Sequence, residues 1–200
     1  RRDLLGKWWM ELMVRPEISL QERLTFFWHN HFTSDAGTVE YAERMFVQNE
    51  LFRRSAFGNV RRLARDVTWD VAMLVYLDGA TNVRTASEDF INENYSRELL
   101  ELYTMGVVDR QGRPNYTQRD VAEGARALTG LRVDGSPKEG YGGITSHFDR
   151  DRWDPGEKEY LGRRGALGAD DVIDIIFSER SDAVARFICG KFYRYFVSLN

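Results

Sequence analysis

Along most of the chain, large apolar side chains recur three or four residues apart, the interval at which an α-helix returns to the same face. Leu4, Leu5, Trp8, Trp9 and Leu12 form the first run, and Pro16 ends it. Ser19 and Glu22 make a capping-box pattern ahead of a second helix, Leu20 to about Phe32. Its buried stripe is Leu24, Phe27, Trp28 and His31. A turn near Ser34 to Gly37 leads into a third helix, about Val39 to Arg54. A fourth covers about Val60 to Asp66, and a short apolar helix, Val71 to Leu77, stops at Asp78-Gly79.

The same reading places a central helix over Asn92 to Gly106, with Asn92 as N-cap and Gly106 as left-handed terminator. At about 100° per residue, Ile91, Tyr95, Leu99 and Leu102 share one quadrant, which predicts that this face is buried. Thr117 with Asp120 caps the next helix, whose stripe is Val121, Ala125 and Leu128 and whose stop is Gly130. Residues 131–168 then break the rhythm, holding eight of the 17 glycines in 38 residues. A structureless loop that long is improbable in a compact domain. The expectation is therefore a small β-hairpin within about 140–165, with Ile144 to Phe148 and Glu159 to Leu161 as its strands. Two helices close the chain, about Ala169 to Phe177 and Asp182 to Val197. The fold class is all-α: one helical domain over residues 1–200, an irregular bundle-like array with a small β excursion.

Composition narrows the chemistry. The formal net charge is −3, so no global basic field recruits nucleic acid. No apolar run approaches the roughly 20 residues of a membrane span. Cys189 is the only cysteine, which excludes internal disulfides and cysteine-cluster metal sites. The chain opens without Met and stops inside an amphipathic pattern, so both ends read as cut from a longer polypeptide.

Two constellations carry candidate chemistry. Glu98 lies near the centre of the central helix's apolar stripe, with Asn94 and Glu101 on its flank. A carboxylate there needs a cation, a metal or a hydrogen-bond donor, because an unpaired buried charge is very costly. It reads first as half of a buried ion pair with an arginine of a neighbouring helix; the alternatives are a general base with a raised pKa and a metal ligand. Glu93–Arg97 and Arg97–Glu101 are i, i+4 pairs of the kind exposed helices use. The second constellation is His29-Asn30-His31. Two imidazoles two residues apart sit about 200° apart on a helix, so they converge on one metal only if the helix unwinds there. Otherwise His31 is a core histidine. A metal would need a third ligand such as Glu98, Glu101, Asp78 or His147. Arg53, Arg54, Arg61, Arg62 and Arg65 form a local basic patch without a groove-reading motif, and read as a solvated helix face or as partners for the chain's 31 acids. His147, Asp149, Asp151 and Asp154 have the composition of a ligand-bearing loop without calcium-loop order.

Several stretches resemble one bacterial family, the uncharacterised proteins grouped as domain of unknown function 1800. They are Trp28-His-Asn-His-Phe32, Asn92-Glu-Asn-Tyr-Ser-Arg-Glu-Leu-Leu-Glu-Leu102 with Gly106, Tyr116-Thr-Gln-Arg-Asp-Val121, Ala127-Leu-Thr-Gly130, and Asp154-Pro-Gly-Glu-Lys158. The resemblance extends to Ala185-Arg-Phe187 and Lys191-Phe-Tyr-Arg-Tyr-Phe196, so it covers nearly the whole chain in order. It implies a longer family domain, often exported or periplasmic, commonly encoded beside a sulfatase-like family that is a candidate protein partner. It carries no established activity. Trp153 and Tyr103 stand where many relatives have histidine, which lowers the expectation of a histidine-rich metal site. His29, His31, Glu93, Asn94, Arg97 and Glu98 match the family pattern and are the candidate catalytic residues. His29, His31 and Glu98 are the candidate ligands of a divalent metal. Two functions are open: a hydrolase-type enzyme with Glu98 as base, or a non-catalytic binding and assembly module whose polar residues fix helix packing.

Overall fold

Short polar side chains set the starts of several helices in a computed structural model, which describes residues 1–14, 20–85, 87, 89–134 and 144–198. The chain gathers into two compact units, Arg1–Leu77 with Arg132–His147, and Asp78–Leu131 with Phe148–Asn200. Both are mainly helical, with small two-stranded sheets. Pro16, Ser19 and residues 135–143 lie outside the described residues.

The first unit contains α1 (Arg2–Met13), α2 (Leu20–His31), α3 (Ala36–Val39), α4 (Ala42–Arg54), α5 (Val60–Thr68) and α6 (Val71–Tyr76). Asp35, Asn59 and Asp70 are N-caps, accepting the backbone N–H of Thr38 at 2.8 Å, Arg62 at 3.1 Å and Met73 at 2.9 Å. Each satisfies a donor that the first helical turn leaves without a partner. The single helix expected from Val39 to Arg54 is instead α3 and α4, because Glu40 adopts a left-handed φ of 68°. The stripe read on α2 is buried in full: Leu24, Phe27, Trp28 and His31 are all under a tenth exposed. Phe32 and Phe52 stack at 6.2 Å, and the Trp28 indole N–H donates to the Ala56 carbonyl at 3.2 Å. α1 has no fully buried residue; Trp8 rests on Phe46 at 5.3 Å and Trp9 on Phe26 at 5.9 Å. Within the basic patch, Arg53 and Arg62 are seen in ion pairs, one of its two readings. Arg53 reaches Glu22 at 2.6 and 3.0 Å and also pairs with Glu50, while Arg62 faces Asp66 at 3.9 Å.

The second unit begins with β1 (Val83–Arg84) and β2 (Asp89–Phe90), paired antiparallel. Then come α7 (Asn94–Glu98), which runs directly into a π-helical stretch, Leu99–Thr104, and α8 (Gln118–Ala127). Thr117 and Asp120 form the capping box that the spacing predicts. Its core joins Tyr95, Leu99, Leu100 and Tyr103 with Val121, Ala125, Tyr160 and Ile173, all 5% exposed or less. Gly124 is where α7, α8 and the following strand come closest: a Cβ there would stand 2.5 Å from the Ser96 hydroxyl and 2.9 Å from the Tyr160 ring.

The β excursion is more divided than expected. β3 (Leu131–Asp134) pairs with β4 (Thr145–Phe148), and β5 (Lys158–Tyr160) with β6 (Arg163–Gly165). The two segments read as partners are therefore strands of separate hairpins. Each turns back on its nearest suitable neighbour; Leu161 and Gly162, at φ 49° and 91°, make the tight turn between β5 and β6. α9 (Ala169–Glu179) and α10 (Ser181–Phe196) close the chain. Among the described residues, no helix is long and apolar enough to cross a membrane.

Candidate functional site

The central helix departs from the α form at its most polar point. After Glu98 the backbone widens to i→i+5 bonding, and the amides of Met105 and Gly106 both reach the Leu100 carbonyl, at 3.2 and 3.0 Å. The Thr104 hydroxyl donates to the Leu99 carbonyl at 2.6 Å. Such π-turns concentrate at functional sites, since they insert one residue without breaking the helix. The insertion corrects the predicted face. Leu102, read as buried, is 50% exposed, while Leu100 and Tyr103 are buried. Gly106 terminates the helix at φ 73°, as expected.

Four of the predicted site residues gather on this stretch, and two more side chains from the neighbouring segment join them. The Arg97 guanidinium donates from Nη2 to Glu93 at 2.7 Å and to the Gln118 side-chain oxygen at 3.1 Å. Gln118 in turn donates to the same Glu93 oxygen at 2.8 Å, closing a three-membered ring of hydrogen bonds. The remaining Arg97 donors make no hydrogen bond among the described residues; Nη1 lies 3.8 Å from Glu101, an ion pair only. The Tyr116 hydroxyl donates to Glu101 at 2.5 Å, and its pKa is raised by burial and by that carboxylate.

Glu98 is the odd member. It is half-buried, and among the described residues no hydrogen bond or ion pair reaches its carboxylate. Burial raises its pKa, the Glu101 charge adds to the rise, and Arg97 opposes it. The reading that the sequence put first, a fixed ion pair, is therefore not found among the described residues. Asn94 stands exposed in the first turn of α7, its N–H held by the Asn92 side-chain oxygen at 2.8 Å. The N-cap is thus Glu93, without a side-chain capping bond, and not Asn92 as expected; the Asn92 oxygen only closes a local turn ahead of the helix.

The histidines belong to the first unit. α2 continues through His31 without unwinding, so the two imidazoles keep to different sides of it. His31 stacks on Phe27 at 6.0 Å and meets Phe32 edge-on at 4.5 Å. His29 packs on Trp9 at 4.8 Å and near Phe52 at 5.9 Å; burial lowers its pKa, and its Nδ1 has no hydrogen-bond partner among the described residues. Among the described residues, no group of three or more His, Cys, Asp or Glu side chains is arranged to hold a metal ion.

The glycine-rich acids are used structurally. His147 pairs with Asp134 across β3 and β4 at 2.5 Å, and Asp149 caps a single 3₁₀ turn. Asp154 is 4% exposed and anchors a network that sequence reasoning did not assemble. It accepts from Arg126 at 2.7 Å, Arg84 at 3.2 Å and the Gly156 N–H at 2.8 Å. Burial pushes its pKa up, but Arg126, the Gly156 N–H and the Lys158 charge outweigh it and the net shift is downward. Lys158, 1% exposed, donates to the Asp154 and Gly156 carbonyls at 2.5 and 3.0 Å and lies over the Trp153 ring at 4.8 Å. Only the spacing of Asp154, Gly156 and Lys158 hinted at this closed turn.

No curated protein and no solved structure matches the chain. One family model does, that of the proteins of unknown function termed DUF1800, over residues 1–200. With the whole length matched, the chain belongs to the DUF1800 family.

Proposed function

We propose that the second unit carries a hydrolase-type general-base site centred on Glu98. The observation that carries the reading is a half-buried carboxylate with a raised pKa and, among the described residues, no hydrogen-bond or ion-pair partner, next to an arginine whose position is fixed by two others. A general base must be desolvated enough to hold a proton near working pH and free enough to reach a substrate. Glu98 is half-buried, its pKa is raised by burial, and among the described residues no hydrogen bond or ion pair holds it, whereas Glu93 and Glu101 are each engaged. In this reading Glu98 takes a proton from an attacking water or hydroxyl. Arg97, through Nε and through Nη1, which is ion-paired but makes no hydrogen bond among the described residues, steadies the carbonyl or phosphoryl oxygen on which negative charge develops. Asn94 orients the substrate. Glu93 and Gln118 are positioning residues for Arg97, and Tyr116 holds the Glu101 carboxylate by its hydrogen bond. His29 and His31, packed among aromatic rings, take a structural role.

The test is a screen of the chain against chromogenic carboxylic esters, phosphoesters and glycosides, beside Glu98→Gln and Arg97→Met. The expected result is turnover of one class that falls about 10²–10⁴-fold in Glu98→Gln, the range for loss of a general base. Turnover should fall with decreasing pH through a midpoint above the ordinary glutamate value of 4.5. No turnover of any class, or turnover unchanged by Glu98→Gln, overturns the proposal.

A second reading, a binding and assembly module of an exported complex, rests on the end of α10. Tyr193, Tyr195, Phe196 and Val197 are 58%, 38%, 37% and 70% exposed there. It predicts co-purification with the sulfatase-like family protein, abolished by Tyr193→Ser with Val197→Ser; an unbound chain at micromolar concentrations of both would refute it.

A further inference from the structure

A cleft lies at the opposite end of the π-turn from Glu98, within the second unit, with a volume of about 260 Å³. Its apolar lining is Met105, Val108, Ala183 and Phe187. Gly106 lets the Phe187 ring close in, since a Cβ at that glycine would stand 3.0 Å from the ring carbons. Two guanidiniums, Arg110 and Arg186, also line the cleft. Among the described residues neither makes a hydrogen bond or an ion pair, although this chain pairs arginine freely elsewhere.

The one carboxylate lining the cleft does not neutralise them. Asp109 accepts from the backbone N–H groups of Gln111 and Arg113, both at 2.9 Å, and from the Arg113 guanidinium at 2.8 Å. Asn115 spends its amide donors on the Met105 and Gly106 carbonyls, each at 3.0 Å. The cleft therefore offers an apolar floor and two uncommitted cations beside one fixed negative charge.

We propose that this cleft binds a compact hydrophobic carboxylate, its apolar body against Phe187 and Met105 and its carboxylate between Arg110 and Arg186. Guanidinium forks match a planar carboxylate in geometry. The nearby Asp109 charge favours a monoanion over a phosphate dianion. The volume sits just below the roughly 300 Å³ at which ligand pockets begin, which limits the body to about one ring. This inference goes beyond the Glu98 reading and does not depend on it.

The experiment is a ¹H–¹⁵N chemical-shift titration of the whole chain with 3-phenylpropionate. The controls are acetate, 3-phenylpropan-1-ol and inorganic phosphate, repeated on Arg110→Gln/Arg186→Gln. Both arginines are exposed, so the variant retains the fold, and its unperturbed resonances elsewhere verify that. Saturable shifts at Met105, Val108, Ala183 and Phe187 with 3-phenylpropionate, weakened at least tenfold in the double variant and in the acetate and alcohol controls, are the expected result. Equal binding of the alcohol would make the cleft merely apolar, and tighter binding of phosphate would make it an inorganic anion site. Either outcome, or no saturable shift, overturns the proposal.

Discussion

Asp70 gives the sharpest quantitative test of how the first unit is held together. It is 6% exposed, and one of its carboxylate oxygens accepts both the Met73 N–H at 2.9 Å and the Gln48 side-chain amide at 2.8 Å. Gln48 in turn accepts from the Ser34 hydroxyl at 2.5 Å, so a helix cap is tied into a buried polar chain. Burial dominates and raises the pKa from the ordinary 3.8 to about 6, against the hydrogen bonds that lower it. The folded state therefore favours the protonated form. The resulting stabilisation is complete below pH 3.8 and is lost as pH rises through about 6. At 1.36 kcal/mol per pH unit the full span is worth about 3 kcal/mol, of which about 2 kcal/mol falls between pH 4.5 and 7.5. Asp70→Asn removes the titration and keeps an oxygen for Met73 and Gln48. Urea unfolding of both chains from pH 4.5 to 7.5 should show the variant gaining on the parent by about 2 kcal/mol as pH rises. Asp70→Ala should lose about 2–4 kcal/mol at pH 5, since it removes the cap and leaves the Gln48 amide unpaired. A parent-minus-Asp70→Asn difference that stays flat across this range would refute the reasoning.

Two further perturbations probe the second unit. Arg126→Met strips the closest cation from buried Asp154, leaving Arg84 at 3.2 Å, and should cost about 3 kcal/mol in urea unfolding at pH 7. Because the Asp154 pKa is depressed, its contribution is present above the ordinary value of 3.8 and fades as pH falls below it, so the deficit should shrink in acid. Gly106→Ala should cost about 2 kcal/mol through its φ of 73° and the displaced Phe187 ring, read as a lower thermal midpoint.

How much of this was legible depends on how local each cause is. The capping box of Thr117 and Asp120, the Gly106 and Gly130 stops and the α2 stripe are all decided within one helical turn, and reading the chain found them. The family was legible too, because its motifs are contiguous. The break at Glu40 was not, since nothing in a glutamate announces a positive φ. Strand pairing failed for a related reason: the spacing identifies strands but not partners, and β4 and β5 each had a nearer one. The site was half visible. Glu93, Arg97, Glu98 and Glu101 share a helix, so periodicity grouped them, but Tyr116 and Gln118 join them only through tertiary packing of the adjoining segment.

The face of the central helix is the instructive error, because it links the fold to the proposed chemistry. Periodicity at a uniform 100° step placed Leu102 in the core beside Leu99. The π-turn takes five residues to cover nearly the rotation that an α-turn covers in four, so one residue in the stretch is surplus, and Leu102 is the one turned out to solvent. Deleting Leu102 should then restore an ordinary α-helix with Leu99, Leu100, Tyr103 and Thr104 still on their buried faces. Such a chain should fold with a thermal midpoint within a few degrees of the parent. It should nevertheless lose the Tyr116–Glu101 hydrogen bond, since α8 and its cap would meet a shortened helix. With Tyr116 gone from Glu101, nothing holds that carboxylate in place beside Glu98, and the Glu98 titration followed by side-chain carboxyl NMR should move. A deletion variant that folds and leaves the Glu98 midpoint where it was would show that the wide turn serves packing alone. A variant that cannot fold would show that Leu102 is not surplus. A folded variant with a displaced midpoint would tie the widened turn to the electrostatics of Glu98.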